Sequence, residues 1–299
     1  MRWDDFRVST NVDDRRGQGP TGGGMLPGGR GGLGLGAIVA LGLLGWALGI
    51  DPRLLITGAE ILSGGAPYGQ QAPAPRQDRP SGPPQDQTGR FAAAILGNTE
   101  DVWKAELPRQ AGVRYQEPRM VLFSGATRSG CGMAQSAMGP FYCPLDRTVY
   151  IDLSFFQEMR RRFGVDGDFA YAYVLAHEVG HHVQNLLGVL EQAESAKRGR
   201  ARAEANAISV RVELMADCLA GVWAYNSDQR YNSLEEGDVE KAMKAASAIG
   251  DDRLQKQAQG YAVPDSFTHG TSAQRVRWFM TGLKSGRVAA CDTFSQKDL

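Results

Sequence analysis

The sequence predicts a predominantly helical α+β domain with a small sheet, preceded by one transmembrane helix. Three observations carry that reading. From Asp168 onward nearly every stretch repeats apolar residues at three- and four-residue steps. Only two short runs upstream, Arg119 to Phe123 and Arg147 to Ile151, have the content of strands. Gly31 to Ile50 is a run of twenty residues without a charge.

The apolar run is long enough at 1.5 Å rise per residue to cross a hydrocarbon core of about 30 Å. A buried core helix rarely runs so far without a polar face, and a cleaved signal peptide is disfavoured by the long charged preamble and the lack of a small-residue cleavage site close behind. The run is therefore expected to be a retained anchor in the lipid bilayer. Arg15, Arg16 and Arg30 precede it while only Arg53 lies shortly after it, which places the N-terminus in the cytoplasm and the rest of the chain outside. Gly32 and Gly36, and Gly45 and Gly49, have the small-xxx-small spacing that permits self-association through the anchor.

Residues 1–30 are expected to be a disordered, glycine-rich cytoplasmic tail: Arg2 to Arg16 mixes charges without an apolar period, and eleven of the twenty residues from Gly17 to Gly36 are glycine. Residues 51–90 read as a linker, since Gly64 to Arg90 holds six of the fourteen prolines, five glutamines and five glycines. The folded domain is then 91–299, the size of one catalytic domain. Within it Asn98 or Thr99 can cap a helix around Asp101 to Leu107, and Phe155 to Phe163 reads as a helix. With 33 basic and 33 acidic residues, the chain has no global field to hold nucleic acid.

The chemistry concentrates in one helix. In Asp168 to Leu187 the residues Ala172, Leu175, Ala176, Val179, Val183, Leu186 and Leu187 form a buried stripe. His177 and His181, four apart and so one above the other, point away from it beside Ala170 and Gly188. Glu178 lies between them in HEVGH. In this H-E-x-x-H arrangement two imidazoles hold a zinc ion and the glutamate takes a proton from its water. Two imidazoles four apart can converge on one cation at about 2.0–2.1 Å, while the adjacent carboxylate reaches the water and not the metal. The chain has four histidines, three of them within six residues, so a core helix that spells the motif by accident is the weaker reading. His182 points about 100° away from His181 and reads as a packing or surface residue.

A catalytic zinc needs a third protein ligand. Position 187 is leucine, which excludes a third histidine six residues after the second. The remaining candidate lies in Arg202 to Tyr225, where RVELMADCLAG places Glu213 and Asp217 four apart on one face. Ala216 and Ala220 permit close helix approach there. Glu213 is expected to reach the metal and Asp217 to accept the outer N–H of a ligand histidine.

These motifs, with GPFYCP at Gly139 to Pro144, the strand VYIDLSFF, AHEVGHHVQ, ELMADCLAG and FTHGTSAQR, resemble the bacterial neutral zinc metallopeptidase family. Its members are membrane-anchored, with an H-E-x-x-H and a downstream E-x-x-x-D. The resemblance implies a zincin-like metallopeptidase domain with one Zn2+ per chain at His177, His181 and Glu213, and Glu178 as general base. It also suggests that His269, just before a helix opened by a Thr271–Gln274 capping box, donates to the developing oxyanion; Arg275 is the alternative donor.

Cys131 and Cys143 bracket the GPFY turn, and Cys218 could bond Cys291. The lack of any C-x-x-C pair disfavours a four-cysteine zinc site, and two disulfides suit an exported domain. By fold-level analogy the strand Thr148 to Asp152 is an edge that pairs with an extended peptide substrate. The reading is thus a single-pass protein of the bacterial inner membrane, its catalytic domain periplasmic or extracellular, that hydrolyses peptide bonds in a peptide or protein substrate. Two alternatives stay open: a non-catalytic zinc-stabilised membrane adaptor, and a metal amidase acting on cell-wall peptides.

Overall fold

A computed structural model describes residues 1–17 and 84–299. The expected anchor Gly31–Ile50 and most of the expected linker lie outside the described residues. Among the described residues no helix is long and apolar enough to cross a membrane.

Helices dominate, with a small sheet on one side. Helix α1 (Gln87–Ala111) opens on Asp86, whose side chain accepts from the Gly89 N–H, and stops at Gly112 in the left-handed conformation. It begins well before the expected cap at Asn98 or Thr99, because the apolar run Phe91–Leu96 is already buried helix. Asn98 instead accepts a hydrogen bond from the Trp223 indole at 2.8 Å, and the Thr99 hydroxyl donates back to the Leu96 carbonyl. The end of the expected linker is therefore helical.

The sheet runs in the order β1 (Val12–Asp14), β2 (Arg119–Phe123), β6 (Thr148–Asp152), β5 (Phe141–Cys143). The first three strands are parallel, and β5 lies antiparallel on β6 with Phe141 opposite Tyr150. A separate hairpin pairs β3 (Ala126–Ser129) with β4 (Gly132–Gln135). Strand β6 starts one residue later than expected because Arg147 sits at φ 54, in a turn. It is also not an edge: fully buried, it lies between β2 and β5, and the free edge on that side belongs to β5.

The expectation of a disordered tail fails for residues 1–17. Strand β1 pairs with β2 in register Val12↔Met120, Trp3 packs edge-on against Phe91 at 5.3 Å, and the Met1 amino group pairs with Asp238 at 2.9 Å. A segment that looks unfoldable by composition is ordered by the domain it lies on.

The helical layer comprises α2 (Ser154–Phe163), α3 (Asp168–Leu186), α4 (Val189–Lys197), α5 (Arg202–Tyr231), α6 (Asp238–Ala248), α7 (Asp251–Gln259) and α8 (Ser272–Ser285). Helix α5 packs against both α3 and α8. Small residues make those contacts close: a Cβ on Gly180 of α3 would stand 2.9 Å from the Ala216 carbonyl oxygen of α5, and one on Gly282 of α8 would stand 1.9 Å from that of Cys218. Phe169, Tyr173, Trp223 and Phe279 fill the space between these helices. Both expected disulfides are present. Cys131–Cys143 ties the hairpin turn to β5, and Cys218–Cys291 ties α5 to the C-terminal segment.

Candidate metal centre

His177 and His181 project from α3 toward α5, where Glu213 meets them. The Nε2 of His177 is 3.2 Å from one Glu213 oxygen, and the Nε2 of His181 is 3.6 Å from the other. The three ligand-type atoms lie within 4.8 Å of one another, a cluster that could hold a metal ion. Two donors each about 2.05 Å from a tetrahedral ion stand about 3.3 Å apart, so each histidine lies near the separation from a Glu213 oxygen that a shared zinc ion requires.

The outer nitrogens are held as well. His177 Nδ1 lies 2.8 Å from Asp217 Oδ1, and His181 Nδ1 lies 2.9 Å from the Gln184 side-chain oxygen. The Gln184 amide in turn donates to the Val212 carbonyl of α5 at 2.7 Å. Each imidazole thus has Nδ1 engaged and Nε2 turned to the cluster, the arrangement that orients histidines for a metal. Gln184, three residues past His181, is a holding residue that sequence reasoning misses.

Asp217 is fully buried and central. Besides His177 it accepts from Tyr173 at 2.5 Å and from Arg275 through two parallel bonds, Nε and Nη2, both 2.9 Å. Burial alone would raise its pKa; Arg275 and His177 hold it down at about 2. Burial would likewise depress His177, but the Asp217 and Glu213 carboxylates lift it to about 10. Glu213, which burial would raise, is held well below the usual carboxylate range by His181, His269 and His177. The site is one of concentrated negative charge that stabilises a cation.

Glu178, beside the first histidine, is 7 % exposed. Among the described residues it takes part in no hydrogen bond or ion pair. His182 points away into the core. Its Nδ1 meets the Tyr142 hydroxyl at 2.9 Å and its Nε2 the Gln116 carbonyl at 2.6 Å, and burial pushes its pKa down to about 4.

The model of a family described as "Putative neutral zinc metallopeptidase" matches residues 1–294. The chain belongs to that family. An Escherichia coli K12 protein named "Uncharacterized protein YpfJ" is 49% identical over 301 residues, covering 99% of both chains. A Mycobacterium tuberculosis H37Rv protein named "Uncharacterized protein Rv2575" is 47% identical over 214 residues, covering 68% of this chain and 70% of its own. No solved structure matches the chain.

Two more polar side chains approach the cluster in this member of the neutral zinc metallopeptidase family, Arg275 at Asp217 and His269 at Glu213. Arg275 is buried and its guanidinium is committed to Asp217, so it is not available as an oxyanion donor. His269 is half-exposed and close enough to Glu213 to lower its pKa. The Thr271–Gln274 capping box forms as expected. The loop before it is anchored by Asp251, whose Oδ2 accepts the backbone N–H groups of Thr268, His269 and Gly270 at 2.7, 2.6 and 3.1 Å; its Oδ1 faces His269 Nδ1 at 3.3 Å. Gly270, at φ 88, lies so close to α5 that a Cβ there would stand 3.2 Å from Leu214 and 3.3 Å from Val210, which seats the loop beside the helix that carries Glu213. Asp251 belongs to no motif, and no local pattern marks it out.

Proposed function

We propose that this protein is an exported zinc-dependent peptidase with a zincin-like catalytic domain. The observation that carries the reading is the facing pair of Nε2 atoms closed by Glu213, with both Nδ1 atoms held from behind and an unpartnered Glu178 alongside. His177, His181 and Glu213 are the residues that would hold the ion, with Asp217 and Gln184 fixing the imidazoles. Zinc in such a site supplies Lewis-acid polarisation of a scissile carbonyl and lowers the pKa of water at its open position to about 7.

Glu178 then acts as general base, accepting a proton from the attacking water and delivering it to the leaving amine. His269, oriented by Asp251, donates to the carbonyl oxygen as negative charge develops. Two disulfides among the described residues support an oxidising compartment, consistent with export across the inner membrane.

The test uses purified full-length protein, with zinc content measured first and then cleavage of a peptide library, casein and peptidoglycan. Glu178→Gln is expected to keep zinc and lose hydrolysis by about three orders of magnitude or more, whereas His181→Ala loses both. Full activity in zinc-loaded Glu178→Gln refutes the mechanism. Zinc without turnover on any substrate favours the adaptor, and cleavage of peptidoglycan alone favours the amidase.

A further inference from the structure

The first seventeen residues occupy a groove made for them. On α1, a Cβ at Gly97 would stand 2.0 Å from the Arg7 carbonyl oxygen, so the segment lies closer to the helix than any side chain there would allow. Glu100, fully buried, accepts from the Ser9 hydroxyl at 2.7 Å, from Asn11 Nδ2 at 2.8 Å and from Arg7 Nη2 at 2.7 Å; all three donors come from the segment. The Ser9 N–H donates to the Ala93 carbonyl at 3.0 Å, and Phe6 packs on Tyr231 of α5 at 5.4 Å. Strand β1 then forms the edge of the sheet against β2. Arg16 closes the arrangement by pairing with Asp14 and with Asp86, the residue that caps α1.

Arg16, beside the end of the first described segment, therefore touches Asp86, near the start of the second. A single membrane crossing does the opposite. It separates its two flanks by a hydrocarbon core of about 30 Å and leaves them on different faces. The arginine bias before Gly31 puts the amino-terminal flank inside, while the disulfides put the domain outside. With one crossing between them the two could never meet, and the Gly97–Glu100 groove and the β2 edge would stand bare.

We propose that residues 1–17 and the domain beginning at α1 lie on the same side of the membrane. Residues 1–17 are then part of the folded domain and not a tail on the far side of the membrane from it. This inference does not depend on the peptidase reading.

Every native cysteine among the described residues is in a disulfide, so an introduced thiol can be read alone. Asp5→Cys and Glu236→Cys, both at exposed positions, are made separately in the full chain and treated with a membrane-impermeant maleimide in intact and in permeabilised spheroplasts. The two sites are expected to respond alike. Labelling of one in intact spheroplasts and of the other only after permeabilisation overturns the proposal.

A second measurement reads the docking itself. Gly97→Ala adds the methyl that meets Arg7 while favouring the helix by up to about 1 kcal/mol, so the domain stays folded. Tryptic cleavage within residues 2–16 of the purified full-length chain is expected to run on the order of tenfold faster in this variant than in wild type. Equal and rapid cleavage in both would mean that the segment is not held in the groove, and would also overturn the proposal.

Discussion

Gly180→Ala should weaken zinc binding without touching a ligand. Gly180 sits inside HEVGH, on the face of α3 that meets α5. A Cβ there lies 2.9 Å from the Ala216 carbonyl oxygen and 3.2 Å from its Cα, both rigid backbone atoms. Ordinary contact begins near 3.4 Å, so the two helices must part locally by about 0.5 Å. The candidate ligands are divided across that same gap, two on α3 and Glu213 on α5. Metal–ligand distances tolerate deviations of about 0.2 Å, so the shift exceeds what the site can absorb. The expected loss is about 10–100-fold in zinc affinity, about 1.4–2.7 kcal/mol. Alanine raises helix propensity by up to about 1 kcal/mol and overpacking costs about 1–3 kcal/mol, so apo stability should change little or fall. Competition titration against a chromophoric chelator measures the affinity, and thermal melts with and without zinc measure the stability. Wild-type affinity together with a higher melting temperature would refute the reasoning, since the α3–α5 contact would then not set the site.

Three further outcomes are expected. His182, buried as the neutral imidazole at a pKa of about 4 against 6.5 unfolded, contributes stability that is complete above pH 6.5 and lost as pH falls toward 4. The amount is about 3 kcal/mol, and the slope should vanish in His182→Phe when urea midpoints are compared across that window. Removing the Cys218–Cys291 bridge by Cys218→Ser with Cys291→Ser opens a loop of 73 residues and should cost about 4 kcal/mol, read by urea denaturation; removing Cys131–Cys143, with a separation of 12, should cost about 3 kcal/mol. Asp251→Ala frees the His269 loop and should lower kcat/KM by about 10–100-fold with zinc content unchanged; full activity would remove His269 from the mechanism.

The chemistry is legible where helical periodicity reports on spatial neighbourhood. His177 and His181 at i, i+4, and Glu213 and Asp217 at the same spacing on a second helix, can be placed face to face because Ala216 and Ala220 advertise close approach. Features that escape a reading of the sequence depend on contacts between segments remote along the chain. Strands β3, β4 and β5 are three or four residues long and are held by pairing partners and a disulfide more than by propensity. The segment 7–14 resembles solvated charge because nothing local shows that Glu100 and the edge of β2 stand ready for it. Arg275 reads as an active-site donor, since its partner lies 58 positions away.

Charge counting explains why Arg275 belongs where it is. Glu213 and Asp217, both held ionised, place two negative charges in a largely buried site, and Arg275 supplies one positive charge, leaving a surplus that a bound cation would help to balance. Without a cation, protonation of His177 offsets part of the surplus, which is the physical content of its pKa near 10. Were Arg275 absent, Asp217 would be a buried carboxylate with only His177 to neutralise it. The protonated imidazolium would then be favoured still further, in direct competition with metal binding. Arg275 keeps Asp217 ionised at low proton affinity, so that Asp217 can accept the Nδ1 hydrogen of a neutral His177 and leave Nε2 free to bind a metal. Because Arg275 reaches Asp217 from α8, across helices that Gly282 lets approach Cys218, the packing of α8 on α5 is part of the candidate site's electrostatics.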